Sequence, residues 1–236
     1  MAPQLNALII THKEDKPNRP EINNTQAPSH KLAKYLNKRL NQLIKLPYTY
    51  ATKKSKVAAQ DLNNIQINNQ HKITTLDIKD IYVNLPTQNI MNIIKFWLNK
   101  NSNQNIIVKQ TLELIRVTLN QNYFPYNGKY FKSTPGMAMG SPTSGTLAEI
   151  YLQFFEELIV KHWMENGEII YYRRYVDEII VFDQNKINKD LITNHMNNMH
   201  NYLEFKLTEV NYTNYLVLYI HRNINNLNLG IYRKTI

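Results

Sequence analysis

The sequence contains no cysteine, and its acidic residues are few compared with its basic ones. The absence of cysteine excludes a disulfide-stabilised scaffold, a thiolate zinc site, an iron–sulfur cluster and catalysis by a thiol. No apolar run approaches the roughly 20 residues that a membrane-spanning helix needs. The first residues also lack the basic-then-apolar pattern of a signal peptide. We therefore expect an intracellular protein that is not secreted and does not span a membrane.

Positive charge dominates the chain. Its 236 residues include 28 Lys and Arg against 18 Asp and Glu, which gives a formal net charge of +10. The hydrophobic fraction of 43% is sufficient for the core of one large or two small domains. The charge excess indicates a polyanionic partner, which could be a nucleic acid or an anionic membrane surface.

Strand-like runs recur along the chain. An apolar strand is predicted over Lys72–Ile78, and two short apolar runs on either side of Val176-Asp177 predict a hairpin. Asn127-Gly128 between aromatic runs predicts another hairpin, and Tyr215–Arg222 is predicted as one strand. Since helices and strands do not alternate regularly, the fold class expected is α+β with an antiparallel sheet.

Helical spacing of apolar residues is found in several other segments. One helix is predicted from Ser29 to Pro47 and a long one from Pro142 to Met164, whose buried stripe includes Leu158. Lysines crowd the outward face of the first of these helices. They could form an ordinary solvated face or a stripe that contacts phosphates, and the sequence favours neither.

Acidic residues follow apolar strands at two places. Asp77 ends the Lys72–Ile78 strand, and Asp177 and Glu178 occupy the tip of the hairpin. Carboxylates beside apolar strands are costly to bury unless they are neutralised, and Mg²⁺ binds one or two carboxylates together with substrate phosphates. Spacing alone leaves another interpretation open, in which Asp77 caps a turn and Asp177 is an ordinary hairpin acid.

Six segments carry a family resemblance, one of which is the run at residues 147–152 that continues the segment at residues 136–144. Residues 175–178 resemble the YVDD box of reverse transcriptases, and residues 76–82 resemble the motif that supplies the first catalytic aspartate. Residues 136–144 resemble the Gly-rich loop between those motifs, residues 12–20 the fingers segment, and residues 230–234 the end of the domain. Their order and spacing are similar to those of Penelope-like retroelement reverse transcriptases.

This resemblance implies a right-hand polymerase with a palm, made of an antiparallel sheet and packed helices, and with fingers. Residues 1–70 would be a fingers segment, and residues 71–236 a palm with a fingers insertion that ends before the thumb. The implied activity is RNA-directed DNA synthesis from an RNA template, a DNA primer and dNTPs, in the nucleus or the cytoplasm. The resemblance implies nothing about the oligomeric state.

The resemblance also implies roles for individual residues. Asp77, Asp177 and Glu178 would be the catalytic acids. Two Mg²⁺ ions, or Mn²⁺ as an alternative, would be held by Asp77, Asp177 and the carbonyl of Ile78. Arg19 would hold the triphosphate. The other implied substrate-binding residues are Tyr82, Gly136, Gly140, Ser141 and Pro142, and the implied nucleic-acid-binding residues are Lys31, Lys34, Lys38, Arg173 and Arg174.

The residue types leave simpler interpretations open for some of these positions. Tyr82, which would stack under the incoming sugar and exclude a 2′-hydroxyl, could instead be a core aromatic residue. Arg19 could be a surface residue. Residues 140–142 could merely precede a helix.

Several positions depart from the family pattern. Glu178 stands where the family has Asp, and Ile9-Ile10 stand where a Pro-Lys pair is usual. Lys206 is a displaced substitute for the lysine that donates a proton in the family. Together with the end of the chain at Ile236, these departures favour an alternative function, a catalytically impaired relic that still binds nucleic acid.

Overall fold

The computed structural model describes residues 3–9, 18–25, 27–46, 49–52, 54–101, 104–121, 123–132, 136–138, 140–175, 177–199 and 202–233. For residues 7–9, 18–21 and 177–180 it describes the backbone alone. Residues 12–15 of the fingers motif lie outside the described residues.

The described chain contains helices and strands in mixed order. They are β1 (Gln4–Ile9), β2 (Asn18–Asn23), α1 (His30–Leu43), α2 (Ser55–Asn63), β3 (His71–Ile78), α3 (Ile81–Asn84), α4 (Thr87–Asn101), α5 (Asn105–Asn120), β4 (Tyr123–Tyr126), β5 (Lys129–Lys132), α6 (Ser144–Phe155), a π-helical turn (Glu156–Val160), α7 (Lys161–Glu165), β6 (Ile169–Tyr175), β7 (Asp177–Asp183), α8 (Lys189–Met199), β8 (Phe205–Val210), β9 (Tyr212–Tyr215), β10 (Leu218–Arg222) and β11 (Leu227–Ile231).

The chain divides into two compact units that are interleaved along the sequence. The first unit comprises residues 1–47 and 80–152, and the second comprises residues 48–79 and 153–236. The predicted fingers segment ends instead at residue 70, and the assignment of fingers and palm stays a prediction.

The first unit is built around three helices and two hairpins. α5 packs against α1 and α4, and β1 pairs with β2. The buried face of α1 carries Ala33, Leu36 and Leu40, which recur at helical spacing. β4 and β5 form the hairpin that Asn127-Gly128 predicts, and both of these residues have the positive φ that a tight two-residue turn requires.

The second unit is built on a four-stranded sheet of order β6-β7-β3-β8, in which every neighbouring pair is antiparallel. One face packs on α2 and on the separate sheet β11-β10-β9, through a cluster that includes Leu62, Ile73 and Ile220. The other face meets the helices, since Tyr172 bonds to Glu156 and Phe205 to Asn197. The α+β class with an antiparallel sheet is therefore confirmed.

Two local features differ from the predictions. The predicted strand Tyr215–Arg222 is two strands, β9 and β10, which are separated at Leu216 with a φ of 58°. The predicted long helix is interrupted by the π-helical turn, and Leu158 is 56% exposed instead of buried. The wider turn rotates the following residues away from the helical stripe that the sequence predicts. No helix among the described residues is long and apolar enough to cross a membrane.

Candidate active site

The two predicted catalytic aspartates lie on adjacent strands of the second unit. β3 pairs with β7 so that Leu76 stands opposite Glu178. One residue further, the same antiparallel register sets Asp77 opposite Asp177, the first residue of β7. Directly opposed residues of an antiparallel pair share a face, with their Cβ atoms about 4.5–5.5 Å apart. The pairing of two strands that are distant in sequence thus places both aspartates in one row of the sheet.

This row extends across the whole four-stranded sheet. Tyr175 on β6 is the register partner of Asp177, and Lys206 on β8 is the register partner of Asp77. Tyr175 is 45% exposed, and the side chains of Asp77 and Lys206 are also exposed. Asp77 and Asp177 therefore lie between Tyr175 and Lys206 in the register, at an end of the sheet that its core does not cover.

The donor atoms of this row fit Mg²⁺. Ile78, whose carbonyl is a predicted third ligand, ends β3 next to Asp77. Carboxylate and carbonyl oxygens are the ligands that this hard cation prefers. Among the side chains that the structure describes, no three His, Asp or Glu residues gather into a metal site, and the side chains of Asp177 and Glu178 are not among those described. The fit of these residues to Mg²⁺ therefore rests on the backbone register of β3 and β7.

Glu178 occupies a different row from Asp177. It is the register partner of Leu76 on β3 and of Arg174 on β6, both of which are buried. Successive rows of a sheet alternate between its two faces, so the backbone register places Glu178 on the helix-packed face. Its predicted catalytic role stays a prediction.

The two adjacent arginines of β6 lie in different environments, because successive residues of a strand alternate between the two faces of the sheet. Arg173 belongs to the face of the Asp77 row and binds Asp61 of α2 through Nε and Nη2, at 3.2 and 2.8 Å. Arg174 points to the helices, is 7% exposed, and forms an ion pair with Glu156. Burial and pairing contradict the prediction that Arg174 contacts nucleic acid. For Arg173, whose side chain is 28% exposed, that prediction stays open.

The first unit holds the predicted nucleotide-binding segments. Asp80 has a left-handed backbone conformation, with a φ of 47°, and its carbonyl accepts hydrogen bonds from Val83 and Asn84 in α3. Asp tolerates this conformation better than most residues do. The resulting turn places Tyr82, which is half-buried, in α3, where its carbonyl accepts a 2.7 Å bond from the amide of Met137. Within the first unit, α3 and the Gly-rich loop are therefore joined at Tyr82.

Gly136 and Gly140 are required by contacts within the protein. A Cβ on Gly136 would overlap the carbonyl oxygen of Val83, and the residue has a φ of 99°. A Cβ on Gly140 would overlap the carbonyl oxygen of Ile22 in β2. These glycines allow the loop to pack on α3 and β2. The predicted reason for them, close approach to the template and nucleotide, stays a prediction.

Ser141 and Pro142 lie in the turns that lead into α6. The amide of Ser141 donates to the carbonyl of Ala138 at 3.1 Å, and the Ser144 hydroxyl donates to the same carbonyl at 2.6 Å. Met137, which is buried, is a packing residue as its type suggests. The loop is thus a folded support, and direct contact of Ser141 or Pro142 with a nucleotide stays a prediction.

The lysines of α1 lie on one exposed face. Lys31, Lys34 and Lys38 are all exposed, opposite the buried residues of this helix. Arg19 lies on β2 as the register partner of Leu8, and its side chain is outside the description. Contacts of these residues with phosphates stay predictions.

Two carboxylates of the second unit were missed by sequence analysis. Glu156 is buried behind β6, and Asp61 belongs to α2, a helix that was not predicted. Glu156 lies opposite the apolar stripe that the sequence predicts for the long helix, so the helical period gave no signal for its burial. Asp61 carries no signal either.

The sequence matches the family model of reverse transcriptases (RNA-dependent DNA polymerases) over residues 11–213. No curated protein matches the chain. Among solved structures, it resembles the telomerase of Candida albicans in complex with a TWJ fragment of telomeric RNA. That match has a TM-score of 0.73 and 12% identity, and it covers 98% of this chain and 46% of the telomerase.

Apo telomerase from Candida tropicalis, truncated from its C-terminal domain, is similar too, with a TM-score of 0.68 and 13% identity over 98% of this chain and 55% of that one. The chain thus spans about half the length of these telomerases. At such identities the likeness establishes the fold, and the palm-like fold of a polymerase is confirmed. Since the family model covers most of the chain, the protein belongs to the reverse transcriptase family.

Proposed function

We propose that this chain is the catalytic domain of an RNA-directed DNA polymerase that uses two metal ions. The observation that carries the proposal is the register that sets Asp77 opposite Asp177 at the open end of the central sheet. Two adjacent carboxylates repel each other, which is unfavourable unless a cation lies between them. Family membership supports the same chemistry.

The residues in the row of Asp77 and Asp177 would have separate roles in nucleotidyl transfer. Asp77, Asp177 and the Ile78 carbonyl would hold Mg²⁺, with Mn²⁺ as a substitute. When bound, two such ions stabilise the attacking and the leaving oxygen in an in-line displacement. Lys206, the register partner of Asp77, would supply a positive charge and a proton donor beside the acids. Catalysis would then consist mainly of positioning and charge stabilisation.

The loop segments of the first unit would bind the nucleotide. Tyr82 would contact the sugar, and the loop that begins at Gly136 is held against its backbone. Arg19 would bind the triphosphate. Lys31, Lys34 and Lys38 would contact phosphates of the RNA template or the DNA primer, consistent with the net charge of +10.

We assign the chain to the Penelope-like retroelement subtype, on the motifs at residues 76–82, 136–144 and 175–178. The enzyme of a retrotransposon would act where its template is found, in the nucleus or the cytoplasm. The assignment predicts that the chain uses RNA templates other than telomeric RNA.

The direct test is extension of a labelled DNA primer on an RNA template, with dNTPs and either Mg²⁺ or Mn²⁺. Template-dependent extension supports the proposal. Salt-sensitive binding of the primer–template without extension under either metal would contradict it and favour the non-catalytic relic. The observation that favours the relic is Glu178, which replaces an aspartate of the family motif.

Neutralising the exposed face of α1 should reduce the salt dependence of nucleic-acid binding. Each lost phosphate contact lowers the slope of log affinity against log salt concentration by about 0.7–0.9. A variant with Lys31, Lys34 and Lys38 all changed to Gln should therefore lose about 2 from that slope, measured by fluorescence anisotropy. A control with Lys54, Lys56 and Lys189 changed to Gln, which removes equally exposed charges of the other unit, should change it less. Equal slopes for the two variants would contradict the predicted contact.

Removing the ring of Tyr82 should relax discrimination between deoxyribo- and ribonucleotides. Tyr82→Ala should raise the incorporation of rNTP relative to dNTP by about 10- to 100-fold, because the loss of one steric contact changes specificity by that order. Single-nucleotide insertion measured with each substrate gives this ratio. Tyr82→Phe should keep the wild-type ratio, and a Tyr82→Ala variant that also keeps it would assign Tyr82 to the core.

A further inference from the structure

A buried carboxylate lies behind the strand that leads to Asp177. Glu156, the first residue of the π-helical turn, is 3% exposed. Its Oε1 accepts hydrogen bonds from the Tyr172 hydroxyl at 2.9 Å and from Arg174 Nε at 2.5 Å. Its Oε2 accepts a bond from Arg174 Nη2 at 3.2 Å. A buried carboxylate with both oxygens bonded in this way is held in one orientation.

The end of β6 is also held by the segment that precedes α2. The amide of Arg174 donates to the carbonyl of Tyr50 at 3.0 Å, and the carbonyl of Arg174 accepts from the amide of Thr52 at 2.9 Å. The ring of Tyr50 packs edge-on against Tyr172, with ring centres 5.4 Å apart. Burial, and then the charges of Glu157 and Glu156, raise the pKa of Tyr50 to about 12, so this phenol stays neutral.

Arg174, which is bonded to Glu156, Tyr50 and Thr52, lies one row of the sheet before the row of Asp77 and Asp177. Arg174 is the register partner of Glu178, and the next pair along the same strands is Tyr175 with Asp177. At that end of the sheet, the position of Asp177 depends on its two neighbouring strands, β6 and β3. Contacts that hold the end of β6 in place therefore also hold Asp177 in place relative to Asp77.

The bonds of Glu156 with Arg174 and Tyr172 suit a role in positioning β6 better than a role in stabilising the fold. A buried ion pair adds little stability compared with apolar residues of the same volume, whereas in some proteins its directional bonds specify one arrangement. The π-helical turn supports the same interpretation, since such turns are frequently found at functional sites. The turn brings Glu156, instead of an apolar residue, to face β6.

We infer that Glu156, Arg174 and Tyr172 form a positioning cluster that fixes the β6–β7 hairpin, so that Asp177 and Asp77 together bind a divalent cation. The inference rests on the proposed function and extends it to residues outside the catalytic motifs. It makes Glu156 and Tyr172 positioning residues that touch neither substrate nor metal. Loss of their bonds should weaken metal binding and loosen the hairpin while the domain stays folded.

The test compares Glu156→Gln and Tyr172→Phe with the wild type and with Ile220→Val. Ile220 belongs to the core on the other face of the sheet, so its variant controls for a general loss of stability. Mn²⁺ binding is measured by calorimetry without nucleic acid, and the hairpin by hydrogen exchange of residues 173–183. Glu156→Gln should weaken Mn²⁺ binding about tenfold, as is typical when residues that orient metal ligands are changed. Exchange in the hairpin should become faster, and Ile220→Val should alter only the thermal midpoint.

Wild-type Mn²⁺ affinity and unchanged exchange in both cluster variants would overturn the inference. If Glu156→Gln does not fold, Tyr172→Phe decides, because it removes a single hydroxyl. Failure of the proposed function has a different signature, in which the wild type binds Mn²⁺ but extends no primer, or binds no Mn²⁺ at all. Hydrogen exchange tests the cluster in each of those cases.

Discussion

Changing Asp77 to Asn should lower primer extension by about 10³-fold or more, since the charge that binds the metal at the reacting phosphate is lost. The same change should leave the thermal midpoint equal or slightly higher, because like charges directly opposite each other destabilise a sheet. Asp77 is exposed and stands opposite Asp177 in the register, so its neutralisation removes repulsion without opening a cavity. Single-turnover extension and thermal unfolding measure the two effects.

The control for this change is Asp190→Asn, on an exposed carboxylate in the first turn of α8. It should extend primers at the wild-type rate. An Asp77→Asn protein that retains more than about a tenth of the wild-type rate would exclude Asp77 as a metal ligand in the rate-limiting step. A matching loss of activity and of folding would assign Asp77 to the structure instead.

Changing Gly136 to Ala should destabilise the protein by about 3 kcal/mol, a combination of backbone strain and steric overlap. The residue has a φ of 99°, and an added Cβ would overlap the carbonyl of Val83. The amide of the following residue, Met137, would also lose its bond to Tyr82 if the loop moved away. The free energy of unfolding, from denaturant titration, should fall together with extension activity.

Two other glycines serve as matched controls for Gly136. Gly128→Ala keeps a positive φ of 72° but meets no atom within 4 Å, so it should cost only about 1–2 kcal/mol of backbone strain. Gly145→Ala, in the first turn of α6 with open space around it, should stabilise the protein by up to about 1 kcal/mol. If all three substitutions cost the same, the packing of the Gly136 loop on Val83 is not what requires glycine.

Several elements of both units could be predicted from local patterns. The apolar run before Asp77 and the runs on either side of Asp177 have the spacing of strands, and all three form strands. The Asn127-Gly128 hairpin was predicted because only certain residue pairs tolerate its backbone. These features depend on neighbours in sequence, so the sequence alone is sufficient to predict them.

Other features depend on contacts that local patterns do not contain. Leu216 adopts a left-handed conformation without being Gly or Asn, and so divides a predicted strand. The π-helical turn exposes Leu158 and buries Glu156, against the helical period. Strand alternation separates Arg173 from Arg174, yet the burial of Arg174 follows from Glu156, a partner 18 residues away. No short window of sequence contains both members of that pair.

The sequence by itself determined the family. The order of the motifs around Asp77 and Asp177 resembles that of reverse transcriptases, the absence of cysteine excludes thiolate metal sites, and the excess of basic residues indicates a polyanionic partner. Tertiary structure decided which residues meet. The register of β3 with β7 sets one acid opposite the other, and packing on backbone carbonyls requires Gly136 and Gly140. The physical reason is that periodicity encodes local conformation, whereas strand pairing and side-chain burial depend on residues far apart in the chain.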